Sequence, residues 1–148
     1  MAELHEVDAW LAALLSQLEP AARKKMLHEV ARDVRRIQQA NITAQRSPDG
    51  TAWEPRRISA RSKKGRIRRG MFAKLKTAKY LKAQAGADAA EVAFVPGVQK
   101  LARVHHYGLR DRVSRRGPTV KYAERQLLGV NDDVETSVRD ALLLWLTI

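Results

Sequence analysis

Apolar residues recur at helical spacing from the start of the chain. Leu4, Val7, Leu11, Leu14, Leu15 and Leu18 share one face and predict a first helix. Glu3, Glu6 and Asp8 lie early in it, where they favour the positive end of the helix dipole. Pro20 breaks the pattern and suits the opening turn of a second helix. That helix is predicted over residues 20–44, with Met26, Leu27, Val30, Val34 and Ile37 as its apolar stripe. Lys25, His28, Arg32, Arg35, Arg36 and Gln39 fall on the opposite face. Propensity alone leaves such a helix marginal, so it needs the first helix or a sheet as a packing partner.

Ser47-Pro48-Asp49-Gly50 is a turn signature that ends the helical region. After it the periodicity disappears. The segment TAWEPRRISARSKKGRIRRG reads as an extended basic arm anchored at Trp53. Met71, Phe72, Leu75 and Ala78 mark a short helical turn where order resumes. Residues 79–84 and 91–95 flank Gly86 and Asp88 and predict an antiparallel hairpin, with Val92 and Phe94 on one face. Val98, Leu101, Ala102 and His105 predict a short helix stopped by Gly108. Residues 119–122 are a candidate third strand. The last helix begins near Asn131 or Asp132, with capping-box spacing between Asp132 and Glu135. Its stripe is Val134, Val138, Ala141, Leu142 and Trp145. Leu143, Leu144, Leu146 and Ile148 extend the apolar surface nearly all round, which calls for cover by a neighbouring subunit. Leu142, Leu144, Trp145 and Leu146 are the candidate subunit-interface residues. The fold class expected is α+β: two N-terminal helices, a small antiparallel sheet, a short helix and a C-terminal helix, with a long basic arm over residues 46–70. One domain over residues 1–148 suits this length.

Charge sharpens this picture. The net charge is +12, and residues 46–82 alone hold thirteen basic and two acidic groups. Residues 103–125 hold seven basic and two acidic groups, while residues 126–148 carry one basic and four acidic groups. Aromatic residues are only 5% of the chain, so the core is mostly aliphatic. There is no cysteine, which removes disulfides, thiolate nucleophiles and Cys-based zinc sites and suits a reducing compartment. The N-terminus has acids where a secretory signal has positive charge, and no window reaches the roughly 20 apolar residues of a membrane span. A soluble protein made in the cytoplasm is expected, with no membrane partner.

Candidate chemistry is sparse. His105-His106-Tyr107-Gly108 is the one constellation that invites a catalytic or metal reading. Adjacent histidines on a helix point in different directions, whereas helical ligand pairs sit at i, i+4. No acidic residue or further histidine lies at a matching offset, so a structural pair is the ordinary reading, His105 part-buried and His106 hydrogen-bonded or exposed. A His-dependent hydrolase is the third reading of the chain. No paired-carboxylate, nucleophile-elbow, phosphate-loop or zinc-protease motif is present. The arm's Arg56, Arg57, Arg61, Lys63, Lys64, Arg66, Arg68 and Arg69 suit docking to an acidic protein surface, contact with DNA phosphates, or plain solvation as a charged loop. Only Trp53 and Phe72 flank the run, so it lacks the interleaved aromatics of a single-strand binder.

Four segments in order carry a family resemblance: ARDVRRIQQANITAQRSPDGTAW, PRRISARSKKGRIRRGMF, VHHYGLRDRVSRRGPTVKY and AERQLLG, before a terminal amphipathic helix. Together they resemble the tail completion proteins, or virion morphogenesis proteins, of contractile-tailed temperate phages. The pairing of His-x-Tyr-Gly (His105, His106, Tyr107, Gly108) with Arg-x-x-Leu-Gly (Arg125 to Gly129) is its sharpest part. The chain departs from the pattern at Ala123, where a proline is expected. The resemblance implies a structural virion protein at the head-proximal end of the tail that makes the tail competent for head joining. It implies an oligomeric ring, sixfold by analogy. Its partners would be tail tube, sheath or neck and connector proteins, with non-specific DNA contact as the alternative use of the arm. It implies no enzyme activity and no cofactor.

Overall fold

The computed structural model describes residues 8, 9, 12, 18–56 and 70–146. These form helix α1 (Pro20–Thr43), strands β1 (Leu81–Ala85) and β2 (Ala90–Phe94), helix α2 (Pro96–Tyr107), strands β3 (Arg110–Arg112) and β4 (Thr119–Lys121), and helix α3 (Asp132–Leu146). The architecture is the α+β class that the periodicity predicts. Most of the helix expected over residues 4–18, and residues 57–69 of the arm, lie outside the described residues.

Helix α1 is the spine. Pro20 sits in its first turn, where a missing N–H costs nothing. It packs against β1, β2 and α3. Met26, Val30, Ala31, Gln38 and Ile42 are its buried residues. Val34 and Ile37 of the expected stripe are only half-buried, and the buried face continues one turn further, to Ile42. There Ile42 joins Trp53, Leu75, Leu81, Phe94, Ala102 and Leu127 in one cluster. Each large apolar side chain so buried contributes about 1.5–3 kcal/mol.

β1 and β2 form the expected antiparallel hairpin, in the register Leu81↔Phe94 and Ala83↔Val92. A side-chain period of two puts those four residues on the face turned to α1. The candidate strand at residues 119–122 does not extend this sheet. It is β4, which among the described residues pairs only with β3 in a second two-stranded sheet. Arg110-Asp111-Arg112 has no apolar alternation, so β3 left no strand signal in the sequence.

Helix α2 ends at Gly108, whose φ of 66° and ψ of 50° are left-handed. Leu109 N–H then donates to the Val104 carbonyl at 2.8 Å, which closes a Schellman cap. The expected stripe needs correction. Ala102 and Val104 are the buried residues of α2, whereas Leu101 is 50% exposed because its side of the helix borders an open cleft. At α3 the N-cap is Asn131 rather than an Asp132–Glu135 box, since its side-chain oxygen accepts the Val134 N–H at 2.9 Å. The Asn131 amide also donates to the Pro48 carbonyl at 2.9 Å, which fixes α3 to the turn after α1.

Gln38 makes a similar tie. Its amide donates to the Gly129 carbonyl at 2.8 Å and accepts the Gly129 N–H at 3.1 Å, with the side chain buried. Gln38→Leu leaves both backbone groups unmet, each costing about 1–3 kcal/mol. The expected result in urea titration is a lower midpoint at unchanged slope, a loss of about 2–4 kcal/mol.

Candidate interaction site

The arm's two roots converge on the C-terminal end of α1. Arg46 N–H reaches the Asn41 carbonyl at 3.1 Å and Gln45 N–H reaches Ile42 at 3.0 Å, the bond pair of a Schellman cap. Glycine usually holds the left-handed position of that cap, but here it is Gln45, with φ of 57°. A side chain there costs roughly 1–2 kcal/mol and makes contacts that glycine cannot. Gln45 Oε1 accepts the Met71 N–H at 2.8 Å, and its Nε2 donates to the Met71 carbonyl at 3.0 Å. The Gln45 carbonyl accepts the Trp53 N–H at 2.9 Å. One residue thus ties together the segment entering the arm and the segment leaving it.

Arg125 holds the entering root from the other side. It is buried, with Nε donating to the Glu54 carbonyl at 2.9 Å and Nη2 to the Pro55 carbonyl at 3.2 Å. Burial lowers its pKa, the Glu54 charge opposes that shift, and Arg56 adds to it. A guanidinium stays protonated through any such shift, so the buried charge depends on these two carbonyls.

Between the roots runs a row of rings set edge to face. Trp53 meets Phe72 at 5.6 Å, Phe72 meets His105 at 4.9 Å, and His105 meets Tyr122 at 4.6 Å. Such pairs add about 0.5–1.5 kcal/mol beyond area burial. Phe72 itself has φ of 62°, an uncommon left-handed conformation that turns the backbone as it leaves the arm. Beside the row lies an open cleft of about 920 Å³, bordered by Arg56, Leu101, Tyr107, Val113, Tyr122 and Arg125.

The two histidines sit at the join between α2 and the following segment. Burial lowers the His105 pKa and nearby Arg125 lowers it further. Its Nδ1 is buried without a hydrogen-bond partner among the described residues. Burial also lowers the His106 pKa, partly offset by Glu124. His106 Nδ1 accepts the Leu127 N–H at 3.1 Å, which requires that nitrogen to be unprotonated. The Arg125 N–H donates to the His105 carbonyl at 2.8 Å. A Cβ at Gly108 would stand 2.8 Å from the Glu124 nitrogen, so close packing as well as φ restricts that position. The segment containing His105 to Gly108 therefore lies directly against the segment containing Arg125 to Gly129. Among the described residues no group of three His, Asp or Glu side chains could hold a metal ion.

The model of the phage virion morphogenesis family matches residues 2–147. The chain belongs to that family. It is 34% identical over 145 residues to tail completion protein S of Escherichia phage P2, covering 97% of each chain. No solved structure matches it.

In this virion morphogenesis protein, Arg56 is exposed at the arm's root, while Arg57, Arg61, Lys63, Lys64, Arg66, Arg68 and Arg69 lie outside the described residues. Leu142, Trp145 and Leu146 are half-buried and Leu144 is 61% exposed. Trp145 faces α1, its Nε1 donating to Glu29 Oε2 at 3.1 Å. Tyr107 is exposed, and Gly129 packs so close to Pro48 that a Cβ would stand 2.7 Å from its ring. Sequence reasoning did not find Gln38 and Gln45, the polar residues that position these segments. The only available cue was Gln45's place just before the Ser47-Pro48-Asp49-Gly50 turn.

Gln45→Gly should keep the helix cap but free the Met71 root. Gln45→Ala should lose the same ties and keep the backbone strain, which makes it the less stable variant by about 1 kcal/mol. Urea titration checks the order, and limited proteolysis between residues 57 and 69 should be faster in both than in the parent.

His106 is a separate test. Its folded pKa lies below the ordinary 6.5, so its stabilising contribution is complete above that pH. As pH falls below 6.5 the unfolded chain takes up protons first, and stability drains away until the folded pKa is passed. His106→Asn keeps an acceptor for Leu127 but does not titrate. Its stability should fall less than the parent's between pH 7.5 and pH 5, as read by denaturant midpoints.

Proposed function

We propose that this protein completes the phage tail as a structural component of the virion, at the head-proximal end, and makes the tail competent to join the head. The end-to-end match to a tail completion protein carries this reading. It is a role in assembly and assigns no reaction and no cofactor. The protein would accumulate in the host cytoplasm during assembly and remain in the finished particle.

Within that role the chain acts as one subunit of an oligomeric ring, with six copies as the working number by analogy. The exposed Leu143 and Leu144 on α3 support this, because large exposed aliphatic groups are suited to burial by a neighbour. The arm is the docking extension. Gln45 and Arg125 tie its two roots to the core, so the ends of a highly basic segment are held at a fixed place on the subunit. Its partners in this reading are acidic surfaces of tube, sheath or neck proteins. A second reading, non-specific contact with DNA phosphates, is favoured by the net charge of +12 and by the exposed arginines of the β3–β4 hairpin.

Phage lacking this protein should yield filled heads and separate tails, visible by electron microscopy. Purified protein added to that lysate should restore joined particles. Joined, infectious particles formed in its absence would overturn the proposal. Leu144→Asp protein, changed at an exposed position of α3, should fail in the same complementation while remaining soluble. Arm variants in which Arg66, Arg68 and Arg69 are neutralised should fail to complement whether or not they lose low-salt DNA retention, if the arm docks on protein.

A further inference from the structure

The fold keeps its positive and negative charges apart. Helix α3 carries Asp132, Asp133, Glu135 and Asp140. Among the described residues there are two ion pairs, Arg23 with Asp88 and Arg36 with Asp33, and neither involves α3. In a chain with 28 basic and 16 acidic residues, four carboxylates on one helix therefore have no cationic partner among the described residues. Asp133 and Asp140 line a groove of about 510 Å³ between α3 and α1. Glu29 and Asp33 of α1 form its other wall, and Leu144 and Trp145 add apolar surface. The groove is thus acidic with an apolar side, on a protein that is basic elsewhere.

The complementary surface is the β3–β4 hairpin. Arg110, Arg112, Arg115, Arg116 and Lys121 are all exposed there, and none of their cationic groups forms an ion pair among the described residues. Val113 is 58% exposed beside them. Val113 N–H donates to the Pro118 carbonyl at 3.1 Å and Gly117 N–H to the Ser114 carbonyl at 3.0 Å, so the tip is a closed turn. The hairpin therefore offers four arginines, a lysine and a valine on a short, shaped projection.

The two surfaces are built from different elements of the molecule. The groove flanks α1 at Glu29 and Asp33. The hairpin leaves the aromatic row that Trp53 and Gln45 tie to the C-terminal end of α1. At 1.5 Å of rise per residue, those two places are roughly 15–21 Å apart along the helix. Within the subunit β3 and β4 pack chiefly on each other, not on the helices that wall the groove.

We propose that the β3–β4 hairpin of one copy docks in the α1–α3 groove of a second copy, pairing Arg115 and Arg116 with Asp133 and Asp140 and setting Val113 against Leu144 and Trp145. The contact joins two different surfaces, so it is head-to-tail, the kind that propagates and closes into a ring when the rotation permits. This rests on the oligomeric reading above and names the two faces that reading needs.

The test is charge reversal at solvent-exposed positions. One variant carries Asp133→Arg with Asp140→Arg, and the other carries Arg115→Glu with Arg116→Glu. Circular dichroism checks that both remain folded, and native mass spectrometry and sedimentation at 0.05 M salt read self-association. Each variant alone should associate about tenfold or more weakly than the parent, since like charges then meet. An equimolar mixture should recover assembly, because every contact again joins opposite charges, and so should a single chain with all four changes. An oligomeric parent whose state neither variant alters overturns the pairing and leaves the ring reading standing. A parent that stays monomeric at every concentration overturns both. If hairpin reversal leaves the oligomer intact but abolishes DNA retention, the hairpin faces nucleic acid and the pairing is wrong.

Discussion

Irregular backbone packed against a core must have its amide groups paired, and this requirement governs the structure. The two sheets have only two strands each, so ladders satisfy few of those groups. Side chains satisfy the others. Gln38, Gln39, Gln45, His106, Arg125 and Asn131 each bond a backbone group distant in sequence, at separations of up to 91 residues. Each bond adds about 0.5–1.5 kcal/mol net, but losing one strands a buried group at a cost of about 1–3 kcal/mol. With aromatic residues at 5% of the chain, these polar ties do much of the positioning that larger aromatic clusters perform elsewhere.

That division explains which parts of the molecule could be read in advance. Helix α1, the β1–β2 hairpin and the Gly108 stop of α2 follow from periodicity and backbone preference, which are local properties. The 3.6-residue stripe of α1 ended too early because its last buried positions, Gln38 and Ile42, alternate polar with apolar. Gln39 reads as solvent-facing, yet it donates to the Lys76 carbonyl at 2.8 Å, a partner 37 residues away. Leu101 reads as core because periodicity reports a face and not what covers it. The motif pair around Gly108 and Arg125 stood out in the sequence, but its halves meet on backbone groups: Arg125 N–H on the His105 carbonyl, and Leu127 N–H on the His106 ring. No residue pattern spells out such a contact.

Charge behaves differently from packing in this chain. The excess of cations is concentrated in the arm and the β3–β4 hairpin, while the carboxylates of α3 stand apart from both. Two ion pairs among the described residues contribute little to stability, since exposed pairs are worth about 0–1 kcal/mol each. Segregated charge of this kind does nothing to hold a monomer together. It orients the monomer toward whatever carries the opposite sign, which links the electrostatics to the proposed assembly role rather than to the fold.

The grip on the arm's entering root has a consequence for how the chain tolerates change. Arg125 bonds the main-chain oxygens of Glu54 and Pro55, and Gln45 bonds the main-chain groups of Met71. Every residue type offers those oxygens and every residue but proline the N–H, so substitution at 54 or 55, or by any residue but proline at 71, keeps the bonded groups, whereas substitution at 45 or 125 removes the side chains that bond them. Variation is therefore asymmetric. The gripped positions can drift while the gripping ones stay constrained, so the sequence at the arm's roots can change without rebuilding its mount.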